Sequence, residues 1–530
     1  MKMKLLRAKQ LHLVIICILS VKVILGFAAL DANAAAKVTV QKQPQYGGIL
    51  RVAYAFEGTF IGYPPKITNA YGYQEAAPAI EKLLDTDKSG ALVPKLATGY
   101  KLNTAAKTIT LFLRKGVKFH DGTDFDAEAV RWNLEQYMKN KSPGTPKWKS
   151  VDVVDNYTVR INLTDWDSTA IIALSETAGL IISPAAFNKN GEAWASNNPV
   201  GTGPFQFVSW VKDTKVVYKK FPGYWDKGKP YLDGVEWNII TDANTREISF
   251  RTGEQDLLSW PELQNLDKLR KDGFIVDRHI GPPFGLALIP SSADRDSPWS
   301  KIKVRQAAQY AIDTVAINNT ILYGVQNPSN QLPNKGSWGW NPDIVGYPYN
   351  PDKAKKLLAE AGYPNGFKTK IIARKDPIND LIFTAVQGYL KAVGIDAEQE
   401  QITSPAYDRL ATSSAWDGLL QSALGSSSDI TLDLVKRYIG PPEGAWFKSM
   451  LIPDDYRKAV LDAVRATDFG TKKKSVRRAM KLFTDKYCLT LNIYSQNFYW
   501  VERVPVHNYG INETTNQMQW TPESTWFEKK

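Results

Sequence analysis

The chain has little of the chemistry that most enzymes and metal centres need. It holds two cysteines and four histidines in 530 residues. Cys17 lies in an apolar N-terminal run, so Cys488 stands alone in the rest and no internal disulfide is expected. A large domain needs no such staple. His120, His279 and His507 are far apart, and none has HExxH spacing. A transition-metal site needs several converging ligands, so no metal and no cofactor is expected. There is no GxSxG elbow and no Walker loop;. Acidic pairs such as Asp454-Asp455 fit a helix start, where they complement the dipole. Two distant carboxylates suffice for glycoside cleavage, which leaves a secreted hydrolase as the alternative of a different class. Internal repeats and low-complexity tracts are absent. No segment beyond the N-terminal run is apolar enough to cross a membrane.

What is present begins with that N-terminal run. A basic start leads into apolar residues Leu11 to Leu30, interrupted by Lys22, and Ala32-Asn33-Ala34 fits a small-x-small cleavage site;. Residues 1–34 read as a secretory signal, with Ala34-Ala35-Ala36 as the neighbouring cleavage choice and an uncleaved anchor helix as the other reading. Cys17 follows Ile15-Ile16 and lacks the small residues that precede a lipid-modified cysteine, so no lipoprotein is expected. Residues 35–46 read as a flexible leader. The first 35 residues contribute +4 of the net charge of +12. The remaining positive charge is scattered or lies on helix faces such as Lys472-Lys473-Lys474 with Arg477-Arg478, read as solvated;. No nucleic-acid motif accompanies it. The 16 Trp and 24 Tyr supply core packing and flat rings for a cleft;.

Length calls for two or three lobes. In LFLRKGVKFHDGTDFDAEAVRWNLEQY (111–137), Ile109, Leu111 and Leu113 alternate with Thr110, Phe112 and Arg114, the period of a strand;. Asp121-Gly122 marks a turn. Asp126 then caps a helix whose apolar face is Val130, Leu134, Tyr137 and Met138. Further strands are expected at 48–54, 150–154, 158–163, 205–210, 214–220 and 235–240, and helices at 76–84 and from Asn244 to Gly253. Pro199 to Phe205 is read as a glycine hinge at the return from a subdomain. Lys303 to Leu322 is expected as one helix presenting Val304, Ala307, Ala308, Ala311 and Val315 on one side. Asn350, Pro351 and Gly362 bracket another helix. Strand 368–373, helix 379–392 and strand 395–402 complete an α/β unit.

The wording of several segments is more specific than their pattern. KGVKFHDG, NPVGTGPF (199–206), FPGYW (221–225), RTGEQDLL (251–258), KVRQAAQYAID (303–313) and YNPDKAKKLLAEAGYPNG (349–366) run in one order along the chain. Together they resemble the family-5 extracellular solute-binding proteins of ABC importers, the peptide and nickel type. The resemblance covers about Gly47 to Val504. It implies a mixed α/β, two-lobed periplasmic-binding-protein-like fold of type II, of the large class with an extra subdomain, its discontinuous lobes joined by a hinge. The implied layout is a solute-binding domain over 47–530, with lobe I near 47–79, 200–285 and 500–530, the subdomain near 80–199 and lobe II near 286–499. His120 and Asp121 then hold a turn.

The resemblance also implies function: a monomeric periplasmic protein, not an enzyme, that captures a peptide-class solute by lobe closure and delivers it to a membrane permease and ATPase. Other polar solutes in the same class, such as an oligosaccharide, an opine-like compound or a nickel chelate, are the alternatives. Service to a chemoreceptor is a further, non-exclusive role. Peptide-binding members usually place an aspartate against the peptide amino terminus; here Ser426 falls at that position and Asp429 three residues on. Phe56 to Tyr63 stands where members often have a Leu-Asp-Pro-type segment, and Leu288-Ile-Pro290 replaces an apolar-Asn pair. The candidate wall residues are Phe60, Tyr63, Trp338, Trp340, Trp416, Ser426 and Asp429.

Overall fold

The computed structural model describes residues 43–530 apart from 68, 88–90, 143–144, 146, 376, 413–414, 424, 426, 428, 441–443, 445, 504, 510–521 and 529–530. The signal segment, most of the leader and Ser426 therefore lie outside the described residues.

Alternating and continuous apolar runs collect into one eleven-stranded mixed sheet. At one end, Ile49–Tyr54 runs parallel to Gly234–Ile239 and to Leu257–Ser259. At the other, Phe367–Arg374 runs parallel to Ile395–Ile402 and to Leu419–Ser422. Two long antiparallel strands, Ile275–Pro290 and Leu491–Glu502, join the ends. Parallel strands buried on both faces need apolar cover. Leu50, Val52, Trp237, Leu257 and Trp500 form the first core; Leu288, Val304, Ile371, Phe383 and Leu491 belong to the second lobe.

The register says which way each lobe faces. Leu257 pairs with Glu502 and Ser259 with Trp500, so the first parallel set runs toward the second lobe. Ala287 pairs with Ser422 and Pro290 with Leu419, so the second set runs back toward the first. The carboxyl ends of both sets therefore converge. They meet where pairing of the long strands slips, between Ile280–Asn497 and Gly285–Ser495. An irregularity in an otherwise regular ladder bends and weakens it locally. These two strands make the crossing between lobes.

A four-stranded antiparallel sheet (Ala97–Asn103, Thr108–Leu113, Trp148–Asp155, Thr158–Leu163) has its own core with Ile109, Leu111, Leu134 and Val159. The turn and cap read from sequence are present: Gly122 has φ 87° and Asp126 accepts from the Ala129 amide at 2.9 Å. His120 holds the turn to the returning chain, its amide donating to Gly201 O and its ring meeting Gly203 O, both at 2.9 Å. Pro199 to Pro204 has no helix or strand and lies against Pro78-Ala79. A Cβ on Gly201 meets Ala79 O at 2.1 Å, so this crossing is tightly packed and the glycines serve close approach;.

Two expectations are corrected. The helix expected over 76–84 is Ala70–Ala76, begun by the Asn69 cap, and Glu81–Lys82 and Leu84–Thr86 are short strands. Pro78 has no amide to continue the helix, which stops at the Ala77 cap;. The helix expected over 303–322 is two, Ile302–Ala311 and Thr314–Thr320, because Asp313 caps a new start through the Ala316 amide. Val315 leaves the apolar face and is exposed.

One buried acid in the first lobe gives the fold a pH signature. Glu75 accepts from the Gly58 amide at 3.0 Å and its other oxygen has no partner. Burial, with Glu57 nearby, pushes its carboxyl up to about 8. Between the unfolded value near 4.5 and the folded value near 8, the folded state keeps a proton that the unfolded chain releases. Its contribution is therefore complete below pH 4.5 and falls as pH rises to 8, by up to about 1.4 kcal/mol per pH unit. Glu502 is raised similarly, so the wild-type loss exceeds one group's. In thermal melts from pH 5 to 8, Glu75→Gln is expected to show a shallower fall in Tm than wild type. Parallel slopes would remove Glu75 from the account.

Candidate functional site

In open α/β sheets, ligands bind outside the carboxyl ends of parallel strands. Here that rule selects the gap between the two convergent sets. On the first lobe, Phe56 follows the strand ending at Tyr54 and Trp260 follows the strand ending at Ser259. Phe56 stacks on Tyr71 at 4.4 Å and meets Trp260 edge-on at 5.3 Å. Trp260 in turn meets Phe498 of the crossing strand at 5.6 Å. Phe56 is exposed and Tyr71 and Trp260 half-buried, so an aromatic cluster with accessible edges sits at these strand ends.

Trp260 has φ 48°, a backbone region that costs a bulky residue energy and persists only when its surroundings enforce it;. Buried Arg246 supplies the enforcement. Its guanidinium donates to Ile240 O, Thr241 O, Ser259 O and Trp260 O at 2.8–3.2 Å, tying together the carboxyl ends of two strands. A small cavity beside them is lined by Trp260, Pro261, Leu263, Gln496, Asn497 and Phe498.

On the second lobe, Arg374 ends its strand, is exposed, and lies with its guanidinium 4.5 Å over the ring of Tyr407. Its backbone is held by Gln421, and Tyr407 donates to Gln421 O at 2.8 Å. Among the described residues its guanidinium has no hydrogen bond or ion pair. The acids around the gap are already committed. Glu57 accepts from Trp210 Nε1 and the Asp213 amide at 2.7 and 2.9 Å. Glu176 accepts from Ser427 Oγ at 2.5 Å, and Asp433 from the Ser427 amide at 2.8 Å.

The wall residues named from sequence are dispersed. Tyr63 is buried, bonded to Gln136 and Asn140, and packed on Phe187. Phe60 is half-buried against the first core. Trp416 is buried against Phe447, with its indole donating to Ile289 O at 3.3 Å; core packing takes it out of a cleft wall. Trp340 is half-buried. Asp429 is not a free countercharge: it caps the short helix Ile430–Asp433 and forms a buried ion pair with Lys472. Lys472, read as solvated, is therefore buried, and half-buried Trp338 lies 5.8 Å from its ammonium. Sequence reading missed Phe56, Tyr71, Trp260 and Arg374. A signal existed for Phe56 and Arg374, which lie just beyond the expected strands 48–54 and 368–373; Trp260 follows a strand that was not expected, and Tyr71 lies on the helix Ala70–Ala76.

The subdomain also touches the second lobe away from the crossing. Trp166 Nε1 donates to Ala466 O at 3.0 Å, and Ser168 donates through its amide to Val464 O at 2.8 Å and its hydroxyl to Ala463 O at 3.0 Å. These carbonyls end the helix Asp454–Val464, where intrahelical donors run out;. These bonds hold the subdomain against the second lobe. The Trp166→Phe, Ser168→Ala double variant is expected to bind solute about threefold to tenfold more weakly, because closure loses two bonds without a change in the cleft. Calorimetry checks this; equal affinity would show that the seam adds nothing to closure.

Two lobes bridged by paired strands, with the carboxyl ends of their parallel sets converging on one gap, are the architecture of a cleft-type binding protein;. Residues 91–433, more than half of the chain, match the bacterial extracellular solute-binding proteins, family 5 Middle, and the chain belongs to this family. The glutathione-binding protein GsiB of Pectobacterium atrosepticum is 35% identical over 324 residues, covering 60% of this chain and 62% of that protein. The heme-binding protein A of Haemophilus influenzae is 32% identical over 376 residues, 65% of this chain and 68% of that one. Among solved structures, DppA from Helicobacter pylori in complex with the peptide STSA superposes with a TM-score of 0.76 at 24% identity, over 92% of this chain and 99% of that chain. No helix among the described residues is long and apolar enough to cross a membrane.

Proposed function

We propose that this chain is the solute-binding component of an ABC importer, exported to the periplasm, which captures a peptide-class solute between its lobes and presents it to permease and ATPase subunits. It acts as a monomer and not as an enzyme. Family membership supports the class. The observation that supports the solute reading is Arg374: an exposed guanidinium at the carboxyl end of its strand, over the ring of Tyr407 and without a carboxylate partner among the described residues. A guanidinium fork matches a carboxylate with two parallel bonds. The rings of Phe56, Tyr71 and Trp260 supply apolar area beside it, and closure of preformed walls buries the solute.

Native mass spectrometry of freshly purified protein tests this directly. A retained peptide, displaced by an added synthetic peptide with quenching or a shift of tryptophan fluorescence, is the expected result. Recovery of a sugar or a metal chelate instead would replace the solute, and turnover of a bound peptide would replace the class.

A further inference from the structure

We infer that the second lobe holds a small-molecule site of its own, separate from the gap, that takes an α-amino acid with an apolar side chain. The inference does not rest on the cleft reading above.

A cavity of about 310 Å³ opens in this lobe between four segments. Tyr310 comes from the helix Ile302–Ala311, and Lys353 and Leu357 from the helix Pro351–Glu360. Asp485 comes from the π-helical turn Leu482–Lys486, and Val345 and Tyr347 from the loop that leads into the second helix. None of these residues follows a strand of the parallel sets that meet at the gap. Sites for small molecules begin at roughly 300 Å³, so this cavity suits a ligand of amino-acid size.

The walls are fastened to one another. The Tyr347 hydroxyl donates to Thr484 O and Asp485 O at 2.9 and 2.8 Å, and its ring meets Tyr310 edge-on at 5.1 Å. Gly346 has φ 69°, a backbone region open to glycine, and from it donates its amide to Asp485 Oδ1 at 3.1 Å;. The loop is thereby tied to the turn, and a preformed cavity spends little on ordering itself around a ligand.

The charges on these walls are not matched to each other. The Lys353 ammonium donates to the Tyr310 hydroxyl at 2.7 Å and lies 4.2 Å over its ring, but it has no ion pair among the described residues. Asp485 has none either, and its second oxygen accepts no hydrogen bond among them. The neighbouring ions are engaged elsewhere: Glu360 pairs with Lys303 at 2.9 Å, and Lys486 with Asp455 at 2.7 Å. A cation and an anion thus line one cavity beyond ion-pair reach of each other. An α-amino acid carries the complementary pair on one carbon. Its carboxylate meets Lys353, its ammonium meets Asp485, and each bond is charge-assisted. Its side chain then lies against Leu357, the two tyrosine rings and Val345, which is otherwise 77% exposed. A ligand with one charge satisfies one wall and leaves the other partly desolvated without a partner.

The test is calorimetry on the full purified chain with leucine, N-acetyl-leucine and leucine amide. Wild type is expected to bind leucine at least tenfold more tightly than either blocked form. Asp485→Asn, which keeps an acceptor for the Gly346 amide, is expected to lose the preference over N-acetyl-leucine and keep the preference over leucine amide. Lys353→Gln, at an exposed position, is expected to do the reverse. Arg374→Gln, in the gap, is expected to bind leucine as wild type does. No binding of leucine, equal binding of leucine and its blocked forms, or preferences that survive both Asp485→Asn and Lys353→Gln overturn the inference. Loss of leucine binding in Arg374→Gln, with binding kept in the other two variants, places the amino acid in the gap and overturns it too. The peptide reading is decided by its own tests and survives each of these outcomes.

Discussion

Arg374→Gln is expected to lower affinity for a peptide with a free terminal carboxylate by about 10- to 100-fold, the size of a lost charge-assisted pair in a closed cleft. The same peptide with its terminal carboxylate amidated should lose a similar factor against wild type and almost nothing further against the variant. That coupling separates a direct contact from a misfolded wall. Arg374→Lys should recover only part of the affinity, because an ammonium keeps the charge but not the planar fork that stacks on Tyr407 at 4.5 Å;. Calorimetry on the four combinations reads the coupling. Full affinity of Arg374→Gln for the free peptide would mean that the carboxylate sits elsewhere, and the solute reading would fail with it.

The second large effect is on stability. Asp429→Asn should destabilise the chain by about 3–5 kcal/mol, the cost of leaving a buried charge without its partner. Asparagine caps a helix as well as aspartate does, so the bond to the Thr431 amide at 2.9 Å is kept and the loss reports the Lys472 pair;. Adding Lys472→Met should restore much of the loss, because the remaining charge is removed and the apolar stem is replaced. Chemical denaturation of the wild type, the single and the double variants measures this. If Asp429→Asn keeps wild-type stability and instead loses affinity for free-amine over amine-blocked peptides, Asp429 serves the ligand and the ion pair is incidental.

The two predictions express one asymmetry. Sequence reading offered Asp429 as a candidate partner for a solute amine and left open whether an acid recognises one. In the folded chain Asp429, Glu57, Glu176 and Asp433 are each engaged by protein donors, whereas the Arg374 guanidinium has no hydrogen bond or ion pair among the described residues. Reading the linear chain as scattered basic residues hid the Lys472 pair, because a lysine that neutralises a buried acid and a solvated lysine are indistinguishable in composition.

What the amino-acid order determined by itself was local and segmental. Alternation marked Thr108–Leu113, Asp126 and Asn350 marked helix starts, and the order of six short segments marked the family. Caps and alternation act within a few residues, so they survive in one dimension. They failed where a local competitor intervened, as Pro78 did for the helix over 76–84 and Asp313 did for the long helix after Lys303. The site was decided by tertiary structure alone. Phe56 meets Trp260 only because their strands run parallel in one lobe, and Asp429 meets Lys472 across 43 residues of chain. Which charges remain free is set by which partners the fold brings within hydrogen-bond reach, and that depends on strand register and helix packing, not on spacing in sequence.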